Sequence, residues 1–371
     1  MNSLPKTLAV DARMIQASGI GTDLQNLLPL MKEHFDITLL GDPVQLKQYA
    51  WADNMQIIRF TKPIYSIAEQ LLLPLLIPAC DYFFSPHFNI PVLPIRAKQR
   101  VVLIHDVYHL ASNAVNKVHK LYARFLLQRA IDASNKVVTI SEFSRSEIQK
   151  YLKVGDKMLH KIDLGVDHNL FRKERDAELM QSVGNKYCLP EEFILFVGNV
   201  KPHKNLKTLV LALSKLEGSQ YQGIKLVVVG KKEGFITGDQ SLINLIEQLN
   251  LKDRVIFTGY VETEHLPIIY QLARLFVFPS LYEGCGLPPL EAMACGCPTI
   301  VSDAASMPEV CRDATYYFDG TNPQALADAL VGALQNEHLR DDLILKGLQL
   351  SAQHTWQKSS AELCDIILKD K

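Results

Sequence analysis

The chain has 371 residues, enough for two domains of about 150 residues each, with 48% hydrophobic and 21% charged residues. That composition excludes a disordered, collagen-like or coiled-coil chain. Lys plus Arg total 39 against 40 Asp plus Glu, and a net charge of −1 gives no overall electrostatic footprint for nucleic acid.

The N-terminal Met-Asn-Ser-Leu-Pro-Lys leads into a short apolar run cut by Asp11, so no secretory signal is expected and the chain is read as cytoplasmic. The strand candidates of the first half are Thr7 to Ala12, Asp36 to Leu40, Gln56 to Phe60, Tyr82 to Ser85, Val101 to His105, Val137 to Ile140 and Lys161 to Leu164. Those of the second half are Phe193 to Val197, Lys225 to Val229, Val255 to Thr258, Leu275 to Phe278, Thr299 to Ser302 and Tyr316 to Phe318. They alternate with segments of helical period, the pattern of parallel sheets with helices on both faces. The fold class is therefore α/β, with two Rossmann-like domains. The apolar run Leu71 to Cys80 carries Pro74 and Pro78 and is far short of the roughly 20 residues of a membrane span. The charged stretch from Arg172 to Leu189, with Gly184 and then Pro190, reads as a linker. Leu343 to Leu368 reads as helices broken near Gln353 to Trp356. The expected organisation is a domain over 1–175, a linker over 176–190, a second domain over 191–352 and a terminal helix over 353–371 that could cross back to the first domain.

Seven scattered cysteines fit reduced thiols. Cys285, Cys295, Cys297 and Cys311 lack the paired spacing of a zinc site and read as buried small hydrophobes. Ligands of open parallel sheets bind beyond the carboxyl ends of the strands. Three strands of the second half end there in Gly198, Gly230 and Gly259. After Gly198 come Asn199, Lys201, His203 and Lys204, leading into a helix from Leu206; cationic side chains beside a helix start suit a diphosphate. A solvated loop would explain one of the lysines but not the arrangement. Beyond Phe278, Gly284 and Gly286 make a loop whose amides can face a ligand, and Pro288 and Pro289 suit the first turn of a helix. Glu283 and Glu291, a loop and a helix carboxylate, suit hydroxyls of two parts of one nucleotide sugar; a capping acid and an exposed acid are the plain alternatives. His105 closes the apolar run Val101 to Ile104, beside Asp106, where a histidine could polarise a hydroxyl or serve the fold.

The run EGCGLPPLEAMACGCPTIVSD resembles the signature of glycosyltransferase family 4, the retaining transferases of two Rossmann-like domains facing across a cleft, the GT-B type. The resemblance extends through DARMIQASGIGTDL, VVLIHDVYHL, VVTISEFSRSEI, GVDHNLF, FVGNVKPHKNL, VVVGKKEG, FTGYVETEHL and Pro308-Glu309-Val310. GIG near the start and KPHKN in the middle are most similar to bacterial mannosyltransferases of the family.

The resemblance implies that Lys204 contacts the donor diphosphate, Glu283 the hydroxyls of the transferred sugar and Glu291 the ribose. It gives the amides of Cys285, Gly286 and Leu287, beside Gly284, to the sugar and phosphates. Gly19 and Gly21 would form a loop approaching the diphosphate, and His105 would meet the sugar near its 6-position. Backbone near Gly230 and Val261 would border the base. Many members carry arginine where this chain has Asn199, so a second positive charge would come from Lys201 or His203. Cys285 stands where an aromatic residue is common.

No Asp-x-Asp appears, so no metal and no cofactor are expected beyond the nucleotide-diphosphate sugar, with GDP-mannose as donor and UDP-sugars as the alternative. The implied product is cell-surface polysaccharide or lipopolysaccharide. The acceptor, a glycan or a polyprenyl- or lipid-linked glycan, is assigned to the first domain, where Arg96 to Lys136 hold eight Lys or Arg against two acids. Lys120, Arg124 and Arg129 on a helix with Tyr122 and Phe125 could face anionic lipid at the inner membrane; a helix packed on its own sheet is the alternative. A nicotinamide-dependent oxidoreductase is disfavoured because Leu24 stands where the third glycine of its fingerprint belongs, although Asp42 follows the second strand. A sugar-nucleotide epimerase or a non-catalytic nucleotide-sugar-binding subunit would use the same fold.

Overall fold

The computed structural model describes residues 5–112, 115–155, 159–173, 176–230 and 240–369. Part of the VVVGKKEG motif, from Lys231 onward, lies outside the described residues. The chain divides into two compact units, Met1–Gly165 with Trp356–Lys371, and Val166–Thr355.

The first unit holds seven strands: β1 (Lys6–Asp11), β2 (Phe35–Gly41), β3 (Gln56–Arg59), β4 (Cys80–Ser85), β5 (Ala97–Leu103), β6 (Lys136–Thr139) and β7 (Leu159–Lys161). They form one parallel sheet in the order β3-β2-β1-β4-β5-β6-β7, with Leu8 opposite both Ile37 and Tyr82. The second unit holds β8 (Phe193–Val197), β9 (Lys225–Val229), β10 (Val255–Gly259), β11 (Leu275–Phe278), β12 (Thr299–Ser302) and β13 (Tyr316–Phe318). Their order is β10-β9-β8-β11-β12-β13, again parallel. Both orders reverse direction once, between β1 and β4 and between β8 and β11. That reversal makes a crevice at the carboxyl ends, the place where open α/β sheets hold ligands.

The central strands are buried along their length, as strands covered on both faces must be. All five residues of β8 are buried, and Val101–Leu103 of β5 is fully apolar. Around β8, Leu209, Leu213, Leu242, Leu326 and Leu330 build one core; around β5, Leu126, Leu127, Ile131 and Ile148 build another.

The expected linker is corrected. Ala177–Lys186 is a helix, capped by Asp176, whose carboxylate accepts the Leu179 N–H at 3.0 Å. Leu179, Met180 and Val183 fall at helical spacing, but only Val183 is buried and the stripe is short among charged and polar residues, so the segment reads as linker in the sequence. Gly184, read as a breaker, lies against Leu272. The change of unit comes earlier, at Gly165, and the return comes at Trp356 instead of 353. There the Val166 N–H donates to the His354 carbonyl at 3.0 Å. The seventh strand also sits earlier than expected. Asp163 leaves the sheet because Ser359 donates to its carbonyl at 2.6 Å and its N–H donates to Glu362 at 3.2 Å.

Those last bonds belong to the terminal helix, Trp356–Leu368, which packs on the helix Ser18–Met31 within the first unit. Buried Lys136, at the start of β6, donates to the carbonyls of Ile366 and Ile367 at 2.7 Å and of Lys369 at 2.5 Å. An ammonium at a helix C-terminus satisfies orphan carbonyls and opposes the negative end of the dipole. Lys136→Met should destabilise the protein by about 1–3 kcal/mol in urea denaturation, because the carbonyls it served lose their donor. An unchanged midpoint would show that the clamp does not hold the helix.

Candidate functional site

At the carboxyl end of β8, Gly198 leads through Asn199 and exposed Lys201 to a short 3-10 turn, Pro202–Lys204, and then the helix Leu206–Ser214. Asn205 joins turn and helix at φ +57°, a left-handed conformation that asparagine tolerates better than most residues. Its Nδ2 donates to the carbonyls of Pro279 at 3.0 Å and Gly320 at 2.8 Å. One side chain thereby ties together the segments that follow β8, β11 and β13. The His203 carbonyl adds two ties, accepting the Leu281 N–H at 2.8 Å and the Ser280 hydroxyl at 3.1 Å.

This bracing brings Lys204 and Glu283 together. Lys204 Nζ lies 2.5 Å from Glu283 Oε1 and 5.0 Å from the centre of the Phe278 ring, and Ser280 Oγ donates to the same Oε1 at 2.6 Å. Both charged side chains are mostly buried. The pair holds cation and carboxylate in place at the β8/β11 switch point, so ordering them costs little when a ligand arrives.

The loop from Glu283 to Gly286 is shaped from behind by Ser306, whose hydroxyl is within 3.0 Å of the Glu283 carbonyl and 3.2 Å of the Cys285 carbonyl. Gly286 has φ +80°, and a Cβ there would collide with the Met307 methyl group. Leu287 opens the helix Leu287–Ala294 ahead of Pro288 and Pro289. Since prolines carry no N–H, Leu287 has the one amide among the first three helical residues that can face an anion.

Glu291, one turn further, accepts a hydrogen bond from the hydroxyl of fully buried Tyr270 at 3.1 Å. Burial pushes its carboxyl up to about 7, against the lowering effect of that bond. Gly230 follows β9, and Val261, buried, follows β10. Asn199, Lys201, Lys204, Glu283, Gly284, Cys285, Gly286, Leu287 and Glu291 thus all lie on segments that follow β8 or β11.

Two expectations are corrected. Gly19 and Gly21 lie in the first turn of the helix Ser18–Met31, not in a loop before it. A Cβ at Gly21 would stand 2.6 Å from the Ile15 carbonyl oxygen, so this glycine serves close packing of the helix start. His203 does not supply a second positive charge at neutral pH. Burial, Lys204 and Lys201 push its imidazole down to about 4. That leaves Lys201, exposed, as the second cation.

In the first unit, His105 follows β5 with its Nε2 2.6 Å from Asp23 Oδ2, and Ser144 donates to its carbonyl at 2.7 Å. Asp106 caps the next turn by accepting the Tyr108 N–H at 2.8 Å. Asp23, Asn205, Tyr270, Ser280 and Ser306 escaped the sequence reading as site residues. Asp23 had a signal, its place two residues after Gly21 in GIGTDL. The others act by bracing, which leaves none.

Lys120, Arg124 and Arg129 sit on the helix Lys117–Ala133. It buries Ala123, Leu126, Leu127, Ala130 and Ile131, so it does pack on its own sheet. A second stripe, Val118, Leu121, Tyr122 and Phe125, is exposed at i, i+3, i+4, i+7 spacing. The buried thiols of Cys295, Cys297 and Cys311 are all pushed up by burial, Cys311 to about 12, as inert core cysteines are. Among the described residues no group of three His, Cys, Asp or Glu is placed to hold a metal, and no helix is long and apolar enough to cross a membrane.

Lys204→Ala should lower turnover about 10²- to 10³-fold, the size of effect seen when one donor to a developing anion is removed; turnover within twofold of wild type would exclude Lys204 from the reaction. For Glu291, a carboxylate that must be ionised to accept two hydroxyls loses that ability as pH falls through about 7. Nucleotide-diphosphate affinity should then drop up to tenfold per pH unit below 7, and Glu291→Gln should flatten the profile in calorimetric titrations. A wild-type affinity that is constant from pH 5.5 to pH 8 would refute this role.

The family model described as glycosyl transferases group 1 matches residues 186–349, the segment that carries β8 to β13 and every residue placed beside Lys204. An O-antigen chain mannosyltransferase B of Escherichia coli is 30% identical over 285 residues, covering 76% of this chain and 73% of that protein. A serotype-specific mannosyltransferase WbdA of Escherichia coli is 29% identical, covering 75% of this chain and 35% of that protein, so the chain spans about a third of this longer relative. Among solved structures, Anabaena Alr3699/HepE in complex with UDP and glucose superposes with a TM-score of 0.78 at 17% identity, over 97% of this chain and 98% of that one. The two parallel-sheet units are those of GT-B glycosyltransferases. With the braced lysine–glutamate pair lying inside the matched segment, the chain belongs to the group 1 glycosyl transferases and is a glycosyltransferase.

Proposed function

We propose that this glycosyltransferase moves mannose from GDP-mannose, with retention at the anomeric carbon, to a glycan or lipid-linked glycan in cell-surface polysaccharide synthesis. The observation that carries the reading is the Lys204–Glu283 pair at the β8/β11 switch point, preorganised by Asn205 and Ser280. The mannosyltransferase names of relatives that match most of the chain support the choice of sugar. A UDP-sugar is the second reading, favoured by the UDP and glucose bound in a neighbour of the same fold.

In this reading the ammonium of Lys204, the cation of Lys201 and the amides near Gly286 and Leu287 neutralise the departing diphosphate. A preorganised donor of this kind is worth about 3–4 kcal/mol of barrier. Glu283 accepts hydroxyls of the transferred sugar, and Glu291 accepts those of the ribose. The bond from the anomeric carbon to the phosphate oxygen breaks, the bond to the acceptor oxygen forms on the same face, and the acceptor proton passes to the leaving phosphate. The chain's own groups carry the charge, and the reaction needs no metal.

The acceptor side is assigned to the first unit. The stripe of Val118, Leu121, Tyr122 and Phe125 is exposed, and Ile67, Leu71 and Leu75 on the helix Ile67–Leu76 of the same unit are exposed as well. Exposed apolar side chains of this number mark a docking face. With Lys120, Arg124 and Arg129 alongside, the partner is an anionic bilayer that carries the acceptor, met peripherally from the cytoplasm.

Thermal-shift binding with a panel of nucleotide diphosphates and their sugars tests the donor, since a ligand of the native state raises Tm by mass action. GDP and GDP-mannose should give the largest shifts, unchanged by EDTA; a larger shift with UDP-sugars would replace the donor, and shifts abolished by EDTA would overturn the metal-independent reading. Sedimentation with phosphatidylglycerol vesicles tests the face: Lys120, Arg124 and Arg129 changed together to Gln should release the protein, whereas undiminished binding would reject the electrostatic contact.

A further inference from the structure

The His105–Asp23 pair differs from the other buried charges of the first unit. Glu69, fully buried, spends both oxygens: one meets Arg13, the other accepts Asn89 Nδ2 at 2.6 Å and the Tyr65 N–H at 2.8 Å. Arg13 in turn holds Asp11 through Nε at 2.8 Å and Nη2 at 2.6 Å. Glu69 is satisfied on both oxygens, although Asn89 Oδ1 in the same network is itself buried with no partner among the described residues, and this carboxylate serves the fold. Asp23 lies in the second turn of the helix Ser18–Met31, among Leu24, Leu27 and Leu28, and its side chain is 2% exposed. Its Oδ2 meets His105 Nε2 at 2.6 Å, but its Oδ1 is buried with no hydrogen-bond partner among the described residues. An orphaned carboxylate oxygen destabilises the native state. The one interaction this carboxylate makes among the described residues is with the imidazole.

That imidazole stands at the carboxyl end of β5, on the edge of the sheet where ligands bind. With Nε2 directed at Asp23, the other nitrogen, Nδ1, makes no hydrogen bond to a described residue and lies on the 18% of the side chain that is open. The groups that face the ring are Asp23 from the first helix, Asp106 from its own segment, and His87 from the loop after β4. Burial works against the ring's charge. The bond to Asp23, its Coulombic attraction and that of Asp106 outweigh this and raise the pKa of His105. His87 is driven the other way, down to about 3, by burial and then by His105 and its neighbours, so it stays neutral and does not oppose the charge.

We propose that Asp23 is a positioning residue for the transfer reaction: it locks the ring of His105 with Nε2 inward, favours the doubly protonated ring, and so presents Nδ1–H as a donor to a substrate oxygen. No proton is transferred; His105 donates a hydrogen bond that strengthens as negative charge builds on that oxygen. The inference rests on the proposed function for its substrate, but not for the state of the pair.

Two measurements separate the two. In the free protein, histidine-detected NMR should find His105 titrating above the ordinary value of about 6.5, and Asp23→Asn, whose amide oxygen still accepts from Nε2–H, should lower that midpoint by at least about one pH unit. This reading needs no donor or acceptor, so failure to find the right sugar leaves it intact. In turnover at saturating donor, kcat should fall as pH rises through the His105 midpoint, and Asp23→Asn should move that alkaline limb down by the same interval. At pH 7 the variant would lose about tenfold in kcat and recover most of it at pH 5.5, with the KM for donor within twofold. A structural role would instead cut kcat by one factor at every pH. An ordinary His105 midpoint in wild type, or an alkaline limb that Asp23→Asn does not move, overturns the proposal. Should Asp23→Asn fail to fold, His105→Gln provides the check: it should abolish the alkaline limb while leaving nucleotide affinity unchanged, and a limb that persists is equally fatal.

Discussion

A parallel strand covered by helices on both sides has no polar face, so the chemistry of such a sheet is confined to the ends of its strands. That constraint sets everything else about this molecule. β8 and β11 are apolar from end to end, and within a few residues of their last positions come Lys204 and Glu283. β5 ends in the apolar run Val101–Leu103, and His105 follows two residues later. Segments that leave a strand end are long and polar, and would wander unless something fixed them. The fixing is done by small polar side chains that donate to backbone carbonyls: Asn205, Ser280, Ser302 and Ser306 each take a carbonyl from a neighbouring segment. The rigidity of the cores is passed outward through these bonds to the charged groups.

Placing a lysine against a glutamate before any ligand is present has a further consequence. An isolated ammonium in a partly buried loop would be penalised by desolvation, and an isolated carboxylate beside it equally so. Together they are tolerated, and a ligand with both anionic and hydroxyl groups can engage the two at once: its phosphate takes the lysine and its hydroxyls donate to the carboxylate. A bare anion would satisfy one member and strand the other. Selectivity for a molecule that carries both chemistries therefore arises from the pairing itself, a form of discrimination against the simpler ligand.

The central strands were legible as short apolar runs between turn residues, because a strand covered on both faces is mostly apolar; β7, with polar His160 and Lys161, sits earlier than its expected place. The two glycine-rich motifs and the loop lysines were legible for the complementary reason, that charge and glycine clustered just after an apolar run have few uses in a core. What was not legible follows from the same physics. The helix Ala177–Lys186 buries one residue, and its short stripe of Leu179, Met180 and Val183 sits among charged and polar residues that read as linker. Gly19 and Gly21 look like a loop because glycine is poor in helices, yet Gly21 is needed where the first turn presses on the Ile15 carbonyl. His203 looks like a third cation in KPHK, and only its three-dimensional surroundings reveal that it is held neutral. Burial is a property of the assembled sheet, and a side chain's charge state cannot be read before that assembly is known.

The distribution of buried charge separates what holds the fold from what works on substrate. Lys136 satisfies three carbonyls at the end of the terminal helix, and Glu69 spends both oxygens on Arg13, Asn89 and Tyr65. Each of these groups is matched on every side that faces the interior. Asp23 and Glu291 are not: one keeps a buried oxygen without a donor, and the other holds a carboxyl that burial pushes to about 7 with one tyrosine hydroxyl for support. Asp23 stands in the second turn of the helix after β1, and Glu291 in the second turn of the helix after β11, each beyond a strand that borders the crevice of its sheet. Unbalanced groups of this kind lower stability, and a fold selected for stability alone would have replaced them with apolar residues at a gain of a few kcal/mol at most. Both lie beyond strands that border a crevice, where open α/β sheets hold ligands, so the stability they cost is lost beside the place where a substrate would bind.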